Sequence, residues 1–178
     1  MKFKLIFFII FLTAINSYSQ TTLKYDTCSY IKKFEGNWMY ANGDDTIRVS
    51  LRYARVCYPN MNFINDFIFG WHEYKKGNII VESNYQNRNV PILYYDTLST
   101  NTFSIRLSNS SLDCNFLNKK ASGAIIDYNQ AKELHIVDIQ LNPLGNEITW
   151  KQSFAEFHGM ISHAYGMTLP KQFKLKKQ

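Results

Sequence analysis

From Phe34 onward, apolar and polar residues alternate with a period of two. In Thr46 to Tyr53, Ile47, Val49, Leu51 and Tyr53 share one face, and Thr46, Arg48, Ser50 and Arg52 share the other. This is the pattern of a half-buried strand. Phe34 to Ala41 precedes it across Asn42-Gly43-Asp44-Asp45. An Asn-Gly step accepts positive φ, so the two runs predict a hairpin. Phe67 to Tyr74 meets Ile79 to Tyr85 across Lys76-Gly77-Asn78. Val90 to Tyr95 reads as an edge strand, because Pro91 cannot donate to a ladder. Thr102 to Leu107, Gly123 to Tyr128, Leu134 to Leu141, Glu147 to Gln152 and Gln172 to Lys177 follow, giving about nine or ten short strands.

Tight connections between strands predict an antiparallel meander, and the lack of strand-helix alternation argues against a doubly wound α/β fold. The expected fold class is all-β, a barrel of about eight to ten strands. Three connections are long: 55–65, 108–120 and 153–170. Phe154, Phe157, Ile161 and Tyr165 recur at helical spacing in the last one, predicting one short helix near 154–165.

The N-terminus follows other rules. Lys2 and Lys4 precede an apolar run from Leu5 to Leu12, and a polar stretch ends in Ser17-Tyr18-Ser19. That order predicts a cleavable export signal over residues 1–19, with Gln20 first in the mature chain. The run is shorter than the roughly 20 residues a bilayer span needs. Tyr25-Asp26-Thr27 ahead of Cys28 is the wrong lead-in for a lipid anchor. The mature protein is therefore expected in the periplasm or outside the cell, without a transmembrane anchor. Residues 20–33 form an N-terminal extension and 34–178 a single barrel domain.

Composition changes this picture only after the charges are located. The 178-residue chain carries a net charge of +6, yet two lysines leave with the signal. Lys171, Lys174, Lys176 and Lys177 lie in the last eight residues, and residues 20–170 hold 14 basic and 14 acidic groups. Arg48 and Arg52 read as the solvent side of a half-buried strand. Nucleic acid is not an expected partner.

The sequence offers little catalytic grammar. His72 and Glu73 are adjacent, hence on opposite faces of a strand, and His158 and His163 are five apart. Neither spacing fits a zinc site, and His135 adds none, so no metal or cofactor is expected. Asp127 and Asp138 sit on neighbouring strands as a possible carboxylate pair, while Asp113 and Glu156 lie in loops. No nucleophile elbow, phosphate loop or dinucleotide fingerprint is present, and no catalytic residue is assigned. In an oxidising compartment, Cys28, Cys57 and Cys114 allow one bond in three ways. Cys57 with Cys114 is favoured, because both fall in long connections.

Aromatics stand out, with 3 Trp, 12 Tyr and 13 Phe. A barrel of about eight strands is either filled by side chains or just wide enough for one small ligand. Trp38, Tyr40, Tyr53, Phe67, Phe69 and Trp71 are the candidates to line such a cavity or to fill the core.

Phe34-x-Gly36-x-Trp38 resembles the Gly-x-Trp signature of lipocalin and calycin barrels. The resemblance implies a Trp plugging one end beneath a basic side chain of the last strand, here Lys174 or Lys176. With Asn42-Gly43-x-x-Thr46, Gly123-x-Ile125-Ile126-Asp127, Trp150 and Leu169-Pro170 to Gln178, residues 34–178 resemble a domain-of-unknown-function family of small exported lipocalin-like proteins of Bacteroidota. That family brings no activity to transfer. The expected function is a non-enzymatic barrel holding a small apolar or amphipathic ligand. The alternative is a closed-core envelope or extracellular interaction module, and a hydrolase would need carboxylates or histidines converging in one cleft.

Overall fold

Among the described residues the alternating runs form ten strands: β1 (Lys24–Tyr25), β2 (Gly36–Asn42), β3 (Asp45–Tyr58), β4 (Phe63–Lys76), β5 (Ile79–Ser83), β6 (Ile105–Asn109), β7 (Lys120–Asp127), β8 (Glu133–Leu141), β9 (Glu147–Gln152) and β10 (Gln172–Lys177). The computed structural model describes residues 24–25, 29–58, 63–92, 103–109, 119–129, 133–152 and 168–178. Two short 3-10 turns, Ser29–Phe34 and Tyr85–Asn89, complete the described elements.

Eight strands close into an antiparallel barrel in the order β4-β3-β2-β10-β9-β8-β7-β6, with β6 returning to β4. Two seams make the closure. Lys176 and Lys177 of β10 pair with Met39 and Trp38 of β2, and Ile105 to Ser108 of β6 pair with Gly70 to Phe67 of β4. One edge of β4 thus serves three partners in turn. β1 runs parallel to it at Phe63 and Ile64, β6 pairs with its middle, and β5 pairs with its end at Glu73 to Lys76.

Register divides each strand into an inner and an outer face. Ile47, Val49 and Leu51 of β3 point inward opposite Tyr74, His72 and Gly70 of β4. They pack with Trp38, Ile105, Leu107, Ile125, Val137, Ile139, Ile148, Trp150, Phe173 and Leu175 in one buried core. Tyr30, Ile31 and Phe34 join that core from the first 3-10 turn, so residues assigned to an N-terminal extension pack against the barrel. Gly123 marks the tightest approach: a Cβ there would lie 2.1 Å from the Arg106 carbonyl oxygen across the β6–β7 seam.

The structure lengthens the second hairpin. β3 and β4 stay paired out to Tyr58 and Phe63, so the connection expected over 55–65 shrinks to 59–62. The reason is a change of face at Ala54. Beyond it Val56 faces outward, where it joins Phe67, Phe69, Trp71 and Phe103 in a second buried cluster. A strand whose apolar side switches looks, in sequence, like a strand that has ended. The described part of the expected edge strand at Val90–Tyr95, residues 90–92, is not strand and follows the 3-10 turn Tyr85–Asn89. The helix expected near 154–165 lies outside the described residues.

Candidate functional site

Three polar or aromatic features stand out on this frame. The first closes one end of the barrel. Gly36 has φ 142°, a conformation that favours glycine, and it brings the 3-10 turn onto β2. The Trp38 indole N–H then donates to the Phe34 carbonyl at 2.9 Å. Lys177 Nζ sits 5.3 Å from the centre of the Trp38 ring. The basic residue over the tryptophan is therefore Lys177, whose inward register fits the role, not the outward-facing Lys174 or Lys176.

The second feature lies at the opposite end, where β5 leaves β4 and β6 arrives. His72, Glu82, Asn84 and Ser104 are all buried there. His72 Nδ1 is 2.7 Å from Ser104 Oγ, and its Nε2 is 3.1 Å from Glu82 Oε1. The Asn84 side-chain carbonyl accepts from the His72 backbone N–H at 2.9 Å and lies 3.0 Å from Ser104 Oγ. Glu82 Oε1 also accepts the Tyr128 N–H at 2.7 Å, and burial pushes the Tyr128 phenol above its ordinary pKa. A serine, a histidine and a carboxylate within reach of one another superficially suggest hydrolysis. Ser104 is 1% exposed and His72 0%, however, so no acyl group reaches the hydroxyl in this arrangement. The network satisfies the backbone N–H groups of His72 and Tyr128 where two strands part.

The third feature is a cleft of about 380 Å³ on the outside of the barrel, where β2 begins against β3. Glu35, Asn37, Ser50, Arg52, Arg88 and Asn89 line it. Register turns Ser50 and Arg52 outward, opposite Trp71 and Phe69. Arg52 Nη1 donates to the carbonyls of Arg88 at 3.0 Å and Val90 at 2.8 Å. Its guanidinium carbon lies 5.6 Å from the centre of the Trp71 ring. Arg88 donates to the Tyr85 carbonyl at 3.2 Å and sits over its own neighbour's ring, 4.5 Å from the Tyr85 centre. Both arginines are pinned by backbone carbonyls and aromatic faces, leaving side-chain donors directed at solvent.

The sequence-predicted residues separate. Trp38 lies in the inner core with Tyr40 and Tyr53 packed against it, whereas Phe67, Phe69 and Trp71 form the outer cluster. The six aromatics do not line one space. Asp127 and Asp138 face opposite sides of the sheet: Asp127 binds the Thr168 N–H and hydroxyl, and Asp138 takes the Ser122 hydroxyl. Among the described residues, no three His, Cys, Asp or Glu side chains gather in a way that suits a metal ion. His158, His163, Asp113, Glu156, Cys28 and Cys114 lie outside the described residues, as does the side chain of Cys57, so the Cys57–Cys114 pairing falls there too. Sequence reasoning read Arg52 only as solvent-facing, and it missed Glu35, Asn37, Ser50, Arg88 and Asn89. Arg52 carried the one available signal, a basic residue on the polar phase of an otherwise apolar strand.

The Family of unknown function (DUF6705) matches residues 1–178, so the chain belongs to that family. No curated protein and no solved structure matches it.

Proposed function

We propose that this member of a family of unknown function is an exported, non-enzymatic β-barrel that recognises its ligand or partner at the outer polar cleft, and not along the barrel axis. The observation that carries this reading is the occupied interior. Trp38, Ile47, Leu51, Ile68, Ile105, Leu107 and Trp150 are each at most 1% exposed, which is how a barrel of about eight strands looks when side chains fill it. The outer cleft, in contrast, lies within the roughly 300–1,000 Å³ of small-molecule sites. Export rests on the signal-like residues 1–19. A lipocalin-like architecture is supported by Gly36-x-Trp38, the turn that precedes it and Lys177 over the indole ring.

The test uses the protein recovered from its own host. Native mass spectrometry is expected to give a chain beginning at Gln20 with no retained apolar molecule. Amide chemical shifts, followed against a panel of small polar metabolites, are expected to move at Glu35–Asn37, Ser50–Arg52 and Arg88–Asn89. A retained lipid, or shifts confined to the inner faces of β7, β8 and β9, would overturn the proposal in favour of an interior ligand.

A further inference from the structure

We infer that the outer cleft takes a carboxylate-bearing, hydroxylated ligand, an acidic sugar either free or at the end of a glycan, with Arg52 holding the carboxylate. This rests on the reading of the cleft as the recognition site and names the class of ligand it fits. Arg52 uses only Nη1 in its bonds to Arg88 O and Val90 O. Its Nε and Nη2 groups find no partner among the described residues, so the guanidinium keeps open donors while its position is fixed. A fixed planar fork matches a carboxylate two bonds at a time, with less entropy lost on binding than a mobile side chain would lose.

Charge agrees with that assignment. Arg52 and Arg88 share the cleft with a single acid, Glu35. Glu35 makes no ion pair with either arginine, and its carboxylate receives only the Tyr53 N–H at 3.4 Å. The cleft therefore keeps a net positive charge. Around the arginines stand the Ser50 hydroxyl and the amides of Asn37 and Asn89, none of which makes a side-chain hydrogen bond among the described residues. Amides and a hydroxyl both donate and accept, which suits sugar hydroxyls, and Glu35 accepts from them. Polar atoms supply most of the lining, with Leu51 its one apolar side chain, which disfavours a fatty or aromatic carboxylate.

Isothermal titration and amide shifts with glucuronate, glucose, inorganic phosphate and a short oligouronide test the assignment. Glucuronate is expected to bind at least tenfold more tightly than glucose or phosphate, moving the amides of residues 35–37, 50–52 and 88–89. Arg52→Gln is expected to abolish the preference for glucuronate over glucose. Because that change also releases two carbonyls of the 85–90 turn, Asn89→Asp serves as the second variant. It is exposed, is expected to leave the thermal midpoint unchanged, and should weaken glucuronate at least tenfold by adding a like charge. Tighter binding of the oligouronide than of the monomer identifies a glycan end as the source, and equal binding identifies the free sugar. Phosphate binding as tightly as glucuronate, or Asn89→Asp without effect, overturns the assignment. Cleft shifts with glucose but not glucuronate would refute the acidic class while leaving the cleft as the recognition site; silence of the cleft toward every polar probe would count against both.

Discussion

Tyr53 shows how much one residue's surroundings alter its chemistry. It is the last inward residue before β3 turns its apolar side outward, and Asp66 lies across the hairpin from the neighbouring Arg55. Burial, followed by a hydrogen bond to Asp66 and that carboxylate's charge, pushes its phenol up to about 12 from 10.0. Ionisation adds negative charge where water is scarce and a carboxylate already sits, so the neutral form is favoured. The sign follows directly. A pKa raised in the folded state gives a contribution that is complete below the unfolded value and lost as pH rises through the folded one. Unfolding free energy should therefore decline between pH 10 and 12, and Tyr53→Phe should flatten part of that decline. Tyrosinate absorbance of the native protein should lag behind that of the urea-unfolded chain over the same range. Coincident titration curves for the two states would contradict the assignment. Burial also raises Tyr74 and Tyr128, so the Phe variant should remove a share of the effect and not all of it.

At the scale of elements, the edge of β4 decides the topology. β5 and β6 both claim it, and the buried His72, Glu82, Asn84 and Ser104 fill the point where one leaves and the other begins. Glu82→Ala would strand His72 without its carboxylate neighbour and orphan the Tyr128 N–H. Leaving a buried donor without its acceptor costs about 1–3 kcal/mol, and a loss in that range is expected here by urea denaturation. Amide exchange in β5 should accelerate more than in β2 or β10, since β5 hangs on β4 outside the barrel. A loss below about 0.5 kcal/mol, the range of ordinary surface substitutions, would mean the network carries no such weight. Strand positions were legible in sequence wherever one face stayed apolar, as in Ile47 to Tyr53 or Phe173 to Leu175. Tyr58 and Phe63 were not, because the apolar side had already changed. His72 was half legible: it falls on the inward phase with Ile68 and Tyr74, which marks a buried polar residue. Ser104 was not, since it reaches His72 only where β6 closes onto β4, and Glu82 was obscured by the register shift at Tyr74 and Lys75 in the β4–β5 hairpin. The cleft was half hidden: the β2–β3 hairpin brings residues 35–37 to 50–52, but residues 88–89 reach them from the 3-10 turn Tyr85–Asn89.

Closure itself joins the whole molecule. The last strand, β10, completes the barrel by pairing with β2 at Trp38 and Met39, so the chain's final residues lock against the first strand of the cylinder. Trp38 stands where four parts meet: β2, its partner β3 at Val49, the 3-10 turn through Phe34 O, and β10 through Lys177. Removing its side chain should leave a large void at the closed end and release the turn that carries Tyr30, Ile31 and Phe34. Trp→Ala changes in cores cost about 3–5 kcal/mol, and Trp38→Ala is expected in that range. Trp38→Phe keeps most of the volume but loses the indole donor, and should cost less. The barrel has one continuous inner core, so both variants should still unfold in a single transition with an unchanged denaturant slope. A second transition, or a slope that falls with the midpoint, would show that the closed end melts separately. That outcome would contradict a cylinder held shut at Trp38 and Lys177. The same measurement bears on recognition, because Glu35, Gly36 and Asn37 wall the cleft just ahead of the tryptophan. If the plug fixes those residues, Trp38→Phe should weaken binding at the cleft in proportion to the stability it removes from the turn, and Trp38→Ala should weaken it more.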